Sequence, residues 1–505
     1  MKVSHTYELL ESPAAQRLGQ FVREHDRLWQ NTMPSFGQFE HDLHKQMVEL
    51  EQEVLAAELA RYDVDAQQIE VEGVRYHPVW VDTETYLTAA GEVQVERHLY
   101  RPAGHNAKSI CPLELRVGIV DGYWTPRAAR QGAWVIAQLT PGDTEALFVE
   151  LGSMSPSRST LDRLPRELSR RWETKREIWE AALRAQETVP EVTASVAVSL
   201  DGVMVAMKDK AAERVAKHAE AGKHASGPAG RQEAACGTVS LYDAEGERLQ
   251  TIRYGRMPES KKVTLQAQLQ GEIEALSALR PDLRRVHLAD GAETNWERLA
   301  EIEAALGLPP EGLVKIVDFY HGCDHLKNGC DAIWGESTPR SRAEFLRLKT
   351  FLKEEDGGAD RIIRTFKHHA SRTTGNRQQR LQTELTYFRN QRPRMNYPEY
   401  LRQHLPIASG VVEAACKTLV TQRLKCSGMA WSIAGGQAIL TFRSLIQSER
   451  WSLAWNLLAA DFRQTITIVK PSAATQFQNS FATRVVVAPV TQHDTEDYQA
   501  LPLAA

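Results

Sequence analysis

The sequence predicts an α/β chain in which a mixed sheet is interrupted by a helical insertion and preceded by a small β-rich region and a helix-turn-helix. Three observations carry that expectation. After Pro190 short apolar, β-prone runs alternate with helical periods. Residues 339–405 keep a helical pattern, contain no strand signal and turn basic. Before residue 190 lie Gly-bounded segments bearing Val and Tyr, then an arginine-rich pair of helix signals. At 505 residues the chain has length for about three folded parts.

Taken in order, residues 1–68 form an acidic amphipathic helical arm. Leu43, Met47, Leu50, Val54, Leu55 and Leu59 recur at helical spacing between Phe36 and Tyr62, as an interaction or dimerisation helix requires. Residues 69–136 are expected to be the small β-rich region, with strands at Ile69–Tyr76, Val93–Tyr100 and Leu115–Val120. Residues 137–189 carry the helix-turn-helix. Thr140-Pro-Gly-Asp143 opens a helix over Thr144–Leu151, and Ser155-Pro-Ser-Arg-Ser159 caps a second running to Trp172 with Arg158, Arg163, Arg166, Arg170 and Arg171. Residues 190–338 are the first part of the core. They read as strand Thr193–Met207, a hairpin of Cys236–Tyr242 and Arg248–Tyr254 around Asp243-Ala-Glu-Gly246, helix Val263–Leu279, strand Arg285–Ala289, helix Asn295–Leu306 and strand Leu313–Asp318. Three strands followed by alternating helices and strands are what an RNase H-like layer gives. A loop is expected over Asp209–Gln232, which lacks a consistent apolar face. The basic helical insertion occupies 339–405, the last core helices 406–470 and a flexible tail 471–505.

Composition narrows the class. Hydrophobic content of 42% and charged content of 25% are ordinary soluble values, and no run approaches the roughly 20 apolar residues of a membrane span. Met1 to Leu10 lacks the pattern of a secretory signal. Six scattered cysteines suit reduced thiols better than a disulfide framework, and the expected location is the cytoplasm. The net charge of −4 hides segregation: residues 1–100 hold 18 Asp/Glu against 8 Lys/Arg, whereas 361–394 hold nine Lys/Arg against the single acid Glu384. Such asymmetry fits an acidic arm and a basic groove.

Three carboxylates stand out. Asp201 follows Ser195-Val-Ala-Val-Ser-Leu200 in an otherwise apolar strand, a costly place for a charge unless a cation compensates it. Asp290 ends Arg285-Val-His-Leu-Ala289 and precedes Gly291, which lets the chain turn away at the carboxyl end of the strand. Glu413 borders the apolar face formed by Val411, Val412, Ala415, Cys416, Leu419 and Val420 on the helix Gly410–Gln422. Arg423 and Leu424 fall out of that helix's register, so it is expected to end or bend before them. Three carboxylates on two strands and a helix supply oxygen ligands for Mg²⁺, with room for two ions in an in-line phosphodiester displacement. Taken singly, each has a plain structural reading: Asp201 opening a turn before Gly202, Asp290 capping the next helix, Glu413 paired with Lys417.

Four segments add a resemblance: Val198-Ser-Leu-Asp-Gly-Val203; Leu288-Ala-Asp-Gly-Ala292; Val317-Asp-Phe-Tyr-His321 with Asp324-His-Leu326; and Ser409-Gly-Val-Val-Glu413 continuing to Arg423-Leu-Lys-Cys-Ser-Gly-Met-Ala-Trp-Ser432. On these the chain resembles the DDE transposases of bacterial insertion sequences, most closely the Kra-type branch, over roughly residues 190–450. The resemblance implies an RNase H-like (retroviral-integrase-like) core, a catalytic and metal-binding triad of Asp201, Asp290 and Glu413, and two Mg²⁺ ions for which Mn²⁺ can substitute. It further implies metal-dependent cleavage and strand transfer on double-stranded transposon ends and target DNA, by a homodimer or larger assembly at the nucleoid. Arg158 and Arg163 are candidates for reading DNA, and Lys417, Arg423 and Lys425 for holding phosphates. Trp431 is a candidate for stacking on an unpaired base, or equally a core plug. The likeness puts Asp318 and His321 near the site, with Asp318 a candidate fourth carboxylate. Relatives often carry a cysteine cluster before the helix-turn-helix, where this chain offers His98, His105 and Cys111; His321, Cys323, His325 and Cys330 form a second conceivable set. Structural histidines and core thiols are the expectation for both sets. The rival readings are a structure-selective nuclease and a DNA-binding protein derived from a transposase.

Overall fold

The computed structural model describes residues 12–30, 32–104, 107–208, 230–469 and the backbone of 485–486. His105, the loop positions 209–229, the segment Met1–Leu10 and most of the tail lie outside the described residues. The chain is mixed α/β with two five-stranded sheets, and it divides into two compact units.

The first unit draws on Met1–Val135, Pro141–Leu164 and Leu457–Ala505. It opens with a helix Pro13–Trp29 that the apolar pattern had not announced. Its start is written in the sequence all the same, because the Ser12 hydroxyl accepts the Ala15 N–H and Pro13 stands in the first turn. The expected amphipathic helix follows as Phe36–Ala60. The sheet has the order β10-β3-β2-β1-β9, with β1 Ile69–Val71, β2 Val74–Thr88, β3 Gly91–Pro102, β9 Thr467–Ile468 and β10 Val485–Val486. Two expectations need correction. Ile69–Tyr76 is two strands, because Glu72 and Gly73 both take positive φ and reverse the chain between them. Leu115–Val120 is no strand: Pro112 starts the helix Pro112–Val117, and Gly118, at φ +81°, ends it. A further helix, Pro126–Gln138, closes what was read as a wholly β-rich stretch.

The pair expected as a helix-turn-helix is present as Pro141–Leu151 and Arg158–Arg184. The second helix runs twelve residues past the Trp172 end that its leucine spacing suggested, and Glu167 holds both Arg170 and Arg171 on its surface.

The second unit, Ile136–Thr140 with Pro165–Asn456, holds a sheet of order β6-β5-β4-β7-β8. Its strands are β4 Ser195–Ala206, β5 Arg231–Tyr242, β6 Arg248–Arg256, β7 Arg284–Ala289 and β8 Leu313–Val317. The first three run antiparallel, whereas β7 lies parallel to β4 and β8 parallel to β7. Side chains alternate between two covered faces. A side chain at Gly237 would meet Leu265 and Leu269 of helix Val263–Leu279, and one at Gly255 would meet Leu440 and Leu419. Helix Glu293–Leu306 adds Trp296, Leu299 and Ile302 to the same cluster as Leu265 and Leu269. On the other face Val205, Met207, Ala234 and Cys236 pack with Val412, Ala415, Cys416, Leu419 and Val420. The insertion is helical as expected: Pro339–Glu354, Gly358–Ala370, Gly375–Gln391 and Tyr397–Arg402, reached through helix Phe319–Trp334.

Candidate active site at the strand ends

Asp201 and Asp290 come together because of sheet register. β4 and β7 pair in parallel up to Ser199↔Leu288, so Asp201 and Asp290 each stand two residues beyond the same rung. Burial pushes the Asp201 carboxyl above its ordinary range. The Gly202 N–H at 2.7 Å and the Cys416 thiol at 3.5 Å oppose that rise, while the charges of Asp290 and Glu233 add to it. Repulsion of this kind is what a cation would relieve. Asp290 does not cap the helix Glu293–Leu306, whose N-cap is Ala292 with no side-chain cap bond; its Oδ1 accepts the Ala292 N–H at 3.0 Å in the turn before it.

Asn295 was not anticipated. It is 5% exposed, and its amide donates to Asp290 Oδ1 at 3.2 Å and reaches the Leu200 carbonyl at 3.5 Å, tying one aspartate to the strand that bears the other. Lys262 Nζ lies 3.2 Å from Asn295 Oδ1 and 3.0 Å from Glu233 Oε1. The Glu233 side chain crosses Gly202 so closely that a Cβ there would sit 1.9 Å from its oxygen. Only the position of Asn295 one turn into the helix after Asp290 hints at its role in the sequence; Lys262 and Glu233 give no such signal.

Glu413 lies in the first turn of helix Gly410–Ala415, which packs against β4 and β5. Its carboxylate accepts from Ser409 Oγ at 3.1 Å, and no ion pair with Lys417 forms. One turn on, Cys416 points at Asp201. Its contact with Cys236, then burial and then Asp201 hold this thiol well above its ordinary range, so it serves Asp201 as a neutral donor. From Cys416 to Thr421 the helix widens to π geometry before closing as Gln422–Leu424. That added residue per turn is why Arg423 and Leu424 break the apolar register: the helix continues past the expected bend and buries both. Arg443 supplies the donors that the widened turn requires, reaching the carbonyls of Leu419 at 3.0 Å and of Thr418, and also that of Ala137 at 2.7 Å.

Asp318 is fully buried, and both of its oxygens are taken by backbone N–H groups, of His321 at 2.6 Å and of Ser409. His325 stacks on Tyr387, with ring centroids 3.6 Å apart, and its Nδ1 lies 2.6 Å from Glu384; His321 packs edge-on to His325. Cys323 and Cys330 are core thiols that burial pushes up to about 12. In the first unit His98 is bound to Asp63 at 2.6 Å, and burial likewise raises the Cys111 thiol to about 12.

The DNA-facing candidates divide. Arg158, Lys417 and Lys425 are exposed, and Arg163 is exposed with Asp121 at 3.8 Å. Arg423 is corrected: at 2% exposure, with Nε on the Ile136 carbonyl, it lies beneath the surface that a phosphate reaches. Trp431 is half-buried, donates to the Leu424 carbonyl at 2.9 Å, and joins the end of β4 through the Ala206 carbonyl and the Lys208 N–H. That arrangement is a plug rather than a free stacking platform.

Among the described residues no three His, Cys, Asp or Glu side chains converge as a ready metal cluster. In type, the donors fit a hard divalent cation: carboxylates on adjacent strand ends that repel one another, with Glu413 exposed on the helix that packs against β4 and turned onto Ser409 rather than onto either aspartate. No family model matches the chain, and no curated protein matches it. Among solved structures, a Drosophila P element transposase strand transfer complex overlaps 66% of this chain and 80% of that one, at 11% identity and a TM-score of 0.24. At that score the overlap bears on neither fold nor chemistry.

Proposed function

We propose that the chain is a DDE transposase with an RNase H-like core, which cuts and joins double-stranded DNA at the ends of an insertion sequence of the Kra type. The observation that carries this reading is the shared register that sets Asp201 and Asp290 side by side, with the Glu413 helix docked against β4. Asp201, Asp290 and Glu413 would hold Mg²⁺, or Mn²⁺ in its place. The chemistry that two such ions would supply there is activation of the attacking water or 3′-hydroxyl and stabilisation of the leaving 3′-oxygen. The chain's own part is to fix its carboxylates. Asn295 orients Asp290, Cys416 donates to Asp201, and Ser409 orients Glu413. Lys417 and Lys425 are the exposed cations assigned to phosphates, and Arg158 and Arg163 those assigned to reading DNA. Processing two ends together calls for two or more copies on DNA, at the nucleoid of the cytoplasm.

The test pairs wild type with Glu413→Ala on labelled duplexes carrying the element's own ends, with and without Mg²⁺. Wild type with metal should cleave the ends and join them into a second DNA, while the variant should lose both activities by at least a hundredfold. Cleavage without joining would move the assignment to a nuclease, and binding alone to a DNA-binding protein.

A further inference from the structure

We infer that Asp318 is a positioning residue that sets Glu413 against Asp290, and that it is not itself a metal ligand. The inference rests on the metal-site reading above. Asp318 caps helix Phe319–Trp334, and capping accounts for one oxygen, which accepts the His321 N–H at 2.6 Å. Capping leaves the second oxygen unexplained. That oxygen reaches 91 residues along the chain to the N–H of Ser409, the residue that opens the helix bearing Glu413. Ser409 in turn donates its hydroxyl to Glu413 Oε1 at 3.1 Å and accepts the Glu413 N–H at 3.0 Å.

The other end of the linkage is equally definite. The backbone N–H of Asp318 donates to the Ala289 carbonyl at 2.8 Å, and Ala289 is the last residue of β7, immediately before Asp290. A parallel tie joins the Phe319 N–H to the Ile407 carbonyl at 2.9 Å, two residues before Ser409. Asp318 therefore touches, through short bonds, the base of one proposed ligand and the anchor of another. The segments it joins are separated by the whole helical insertion, so their juxtaposition rests on contacts across the fold, and the Asp318–Ser409 bond is the one made at the residue that opens the Glu413 helix.

Chemistry explains why the residue is an acid. Two N–H donors converge on one side chain that is 0% exposed, and a carboxylate accepts from both. An asparagine would turn an NH₂ group toward one of the two donors. Each oxygen is committed to a backbone N–H and the side chain is 0% exposed, so Asp318 presents no oxygen at the surface.

The test uses the full chain and Mn²⁺ as the probe, measured by titration calorimetry on wild type, Asp201→Asn, Asp318→Asn, Glu413→Gln and the Asp318→Asn/Glu413→Gln double variant. Asp201→Asn should abolish binding; if it leaves binding as in wild type, the metal-site reading fails and this inference with it. Given that loss, Asp318→Asn should weaken Mn²⁺ about 10- to 100-fold, the range for residues that orient metal ligands. In the Glu413→Gln background the same change should cost little more, because it acts through Glu413. Wild-type affinity in Asp318→Asn, or fully additive losses in the double variant, would overturn the positioning role. Should Asp318→Asn fail to fold, Ser409→Ala decides. It keeps the backbone bond and removes only the hydroxyl on Glu413, so it should weaken Mn²⁺ in the wild-type background and not in Glu413→Gln, and any other pattern counts against the linkage.

Discussion

Gly291 shows how a single residue sets the geometry at the strand end. It takes φ +100°, and a Cβ there would meet the Tyr387 ring at 3.0 Å, so both backbone and packing exclude a side chain. Tyr387 and Gln391 in turn hold the carbonyls of Asp290 and Gly291. Gly291→Ala is expected to cost about 1–3 kcal/mol, read as a lowered urea midpoint, and to reduce cleavage more than it reduces DNA binding, because Asp290 moves with the turn. A midpoint within error of wild type would show that the turn absorbs the change. Glu180 makes a different residue-scale argument. It is 5% exposed, beside Gln268 at 2.6 Å, in a cavity of about 20 Å³ that Glu173 and Arg256 also line. Burial raises its carboxyl to about 7, against the lowering influence of Gln268, Arg176 and Arg184. The folded state thus holds this proton more tightly than the unfolded chain, so stability falls as pH rises from the ordinary carboxylate range to about 7, and is level above it. Glu180→Gln should flatten that slope and raise stability at pH 8 by about 1–3 kcal/mol, as thermal melts between pH 5 and 8 would reveal. An unchanged slope would mean that Glu180 stays ionised in the folded protein.

At the level of elements, the π-helical stretch and Arg443 form one unit. Arg443 is 2% exposed, on helix Ile433–Gln447, and bonds to the carbonyls of Thr418 and Leu419 within the widened turn. Burial lowers its guanidinium to about 10, yet it keeps its charge at neutral pH. Arg443→Met would leave those carbonyls unpaired and should cost roughly 2–4 kcal/mol in urea denaturation. Cleavage should suffer as well, because Cys416 and Glu413 lie on the same helix; a stable variant with full cleavage would uncouple the π turn from the site. This device also marks where sequence reading stops. The apolar period showed that Arg423 broke register, but the partner of the widened turn, Arg443, sits 24 and 25 residues beyond the carbonyls it holds, so a bend was the natural inference. Strands β4, β5, β7 and β8 were legible because each holds a short apolar run, and β6 as the return arm of the hairpin, although β5 begins at Arg231, inside the expected loop, where Arg-Gln-Glu hides the strand; Asp201 and Asp290 were legible because a carboxylate among apolar residues is conspicuous. The helix Pro112–Val117 was not, since its Leu and Val residues suit either state and only Pro112 and Gly118 mark its ends. Cys416 and Asp318 owe their roles to partners 215 and 91 residues away, and Asn295, though near Asp290 in sequence, has its second partner 95 residues away, separations that no local pattern encodes.

Across the whole chain, a net charge of −4 coexists with a strongly basic insertion. Within that insertion the cations are of two kinds. Arg361 is paired with Glu355, and Arg392 with Asp360. Arg364 and Lys367 on helix Gly358–Ala370, Arg372 in the turn that follows it, and Arg377, Arg380 and Arg389 on helix Gly375–Gln391 are exposed and make no ion pair among the described residues. Six uncompensated cations on two adjoining helices and the turn between them repel one another, a cost that phosphates would remove, so under the DNA-binding reading these residues carry the sequence-independent part of the affinity. Each phosphate neutralised contributes about 0.9 to the slope of log affinity against log salt. Replacing Arg364, Lys367, Arg377 and Arg380 together by Gln should therefore flatten that slope by roughly 3–4, measured by fluorescence anisotropy of a labelled duplex over a KCl series, and should do so equally for element ends and unrelated DNA. Arg361→Gln is the matched control: its charge is already spent on Glu355, and its slope should stay close to wild type. If the fourfold variant kept the full slope, the basic insertion would not be the phosphate path, and the backbone contacts would have to come from Arg158, Arg163, Lys417 and Lys425 instead.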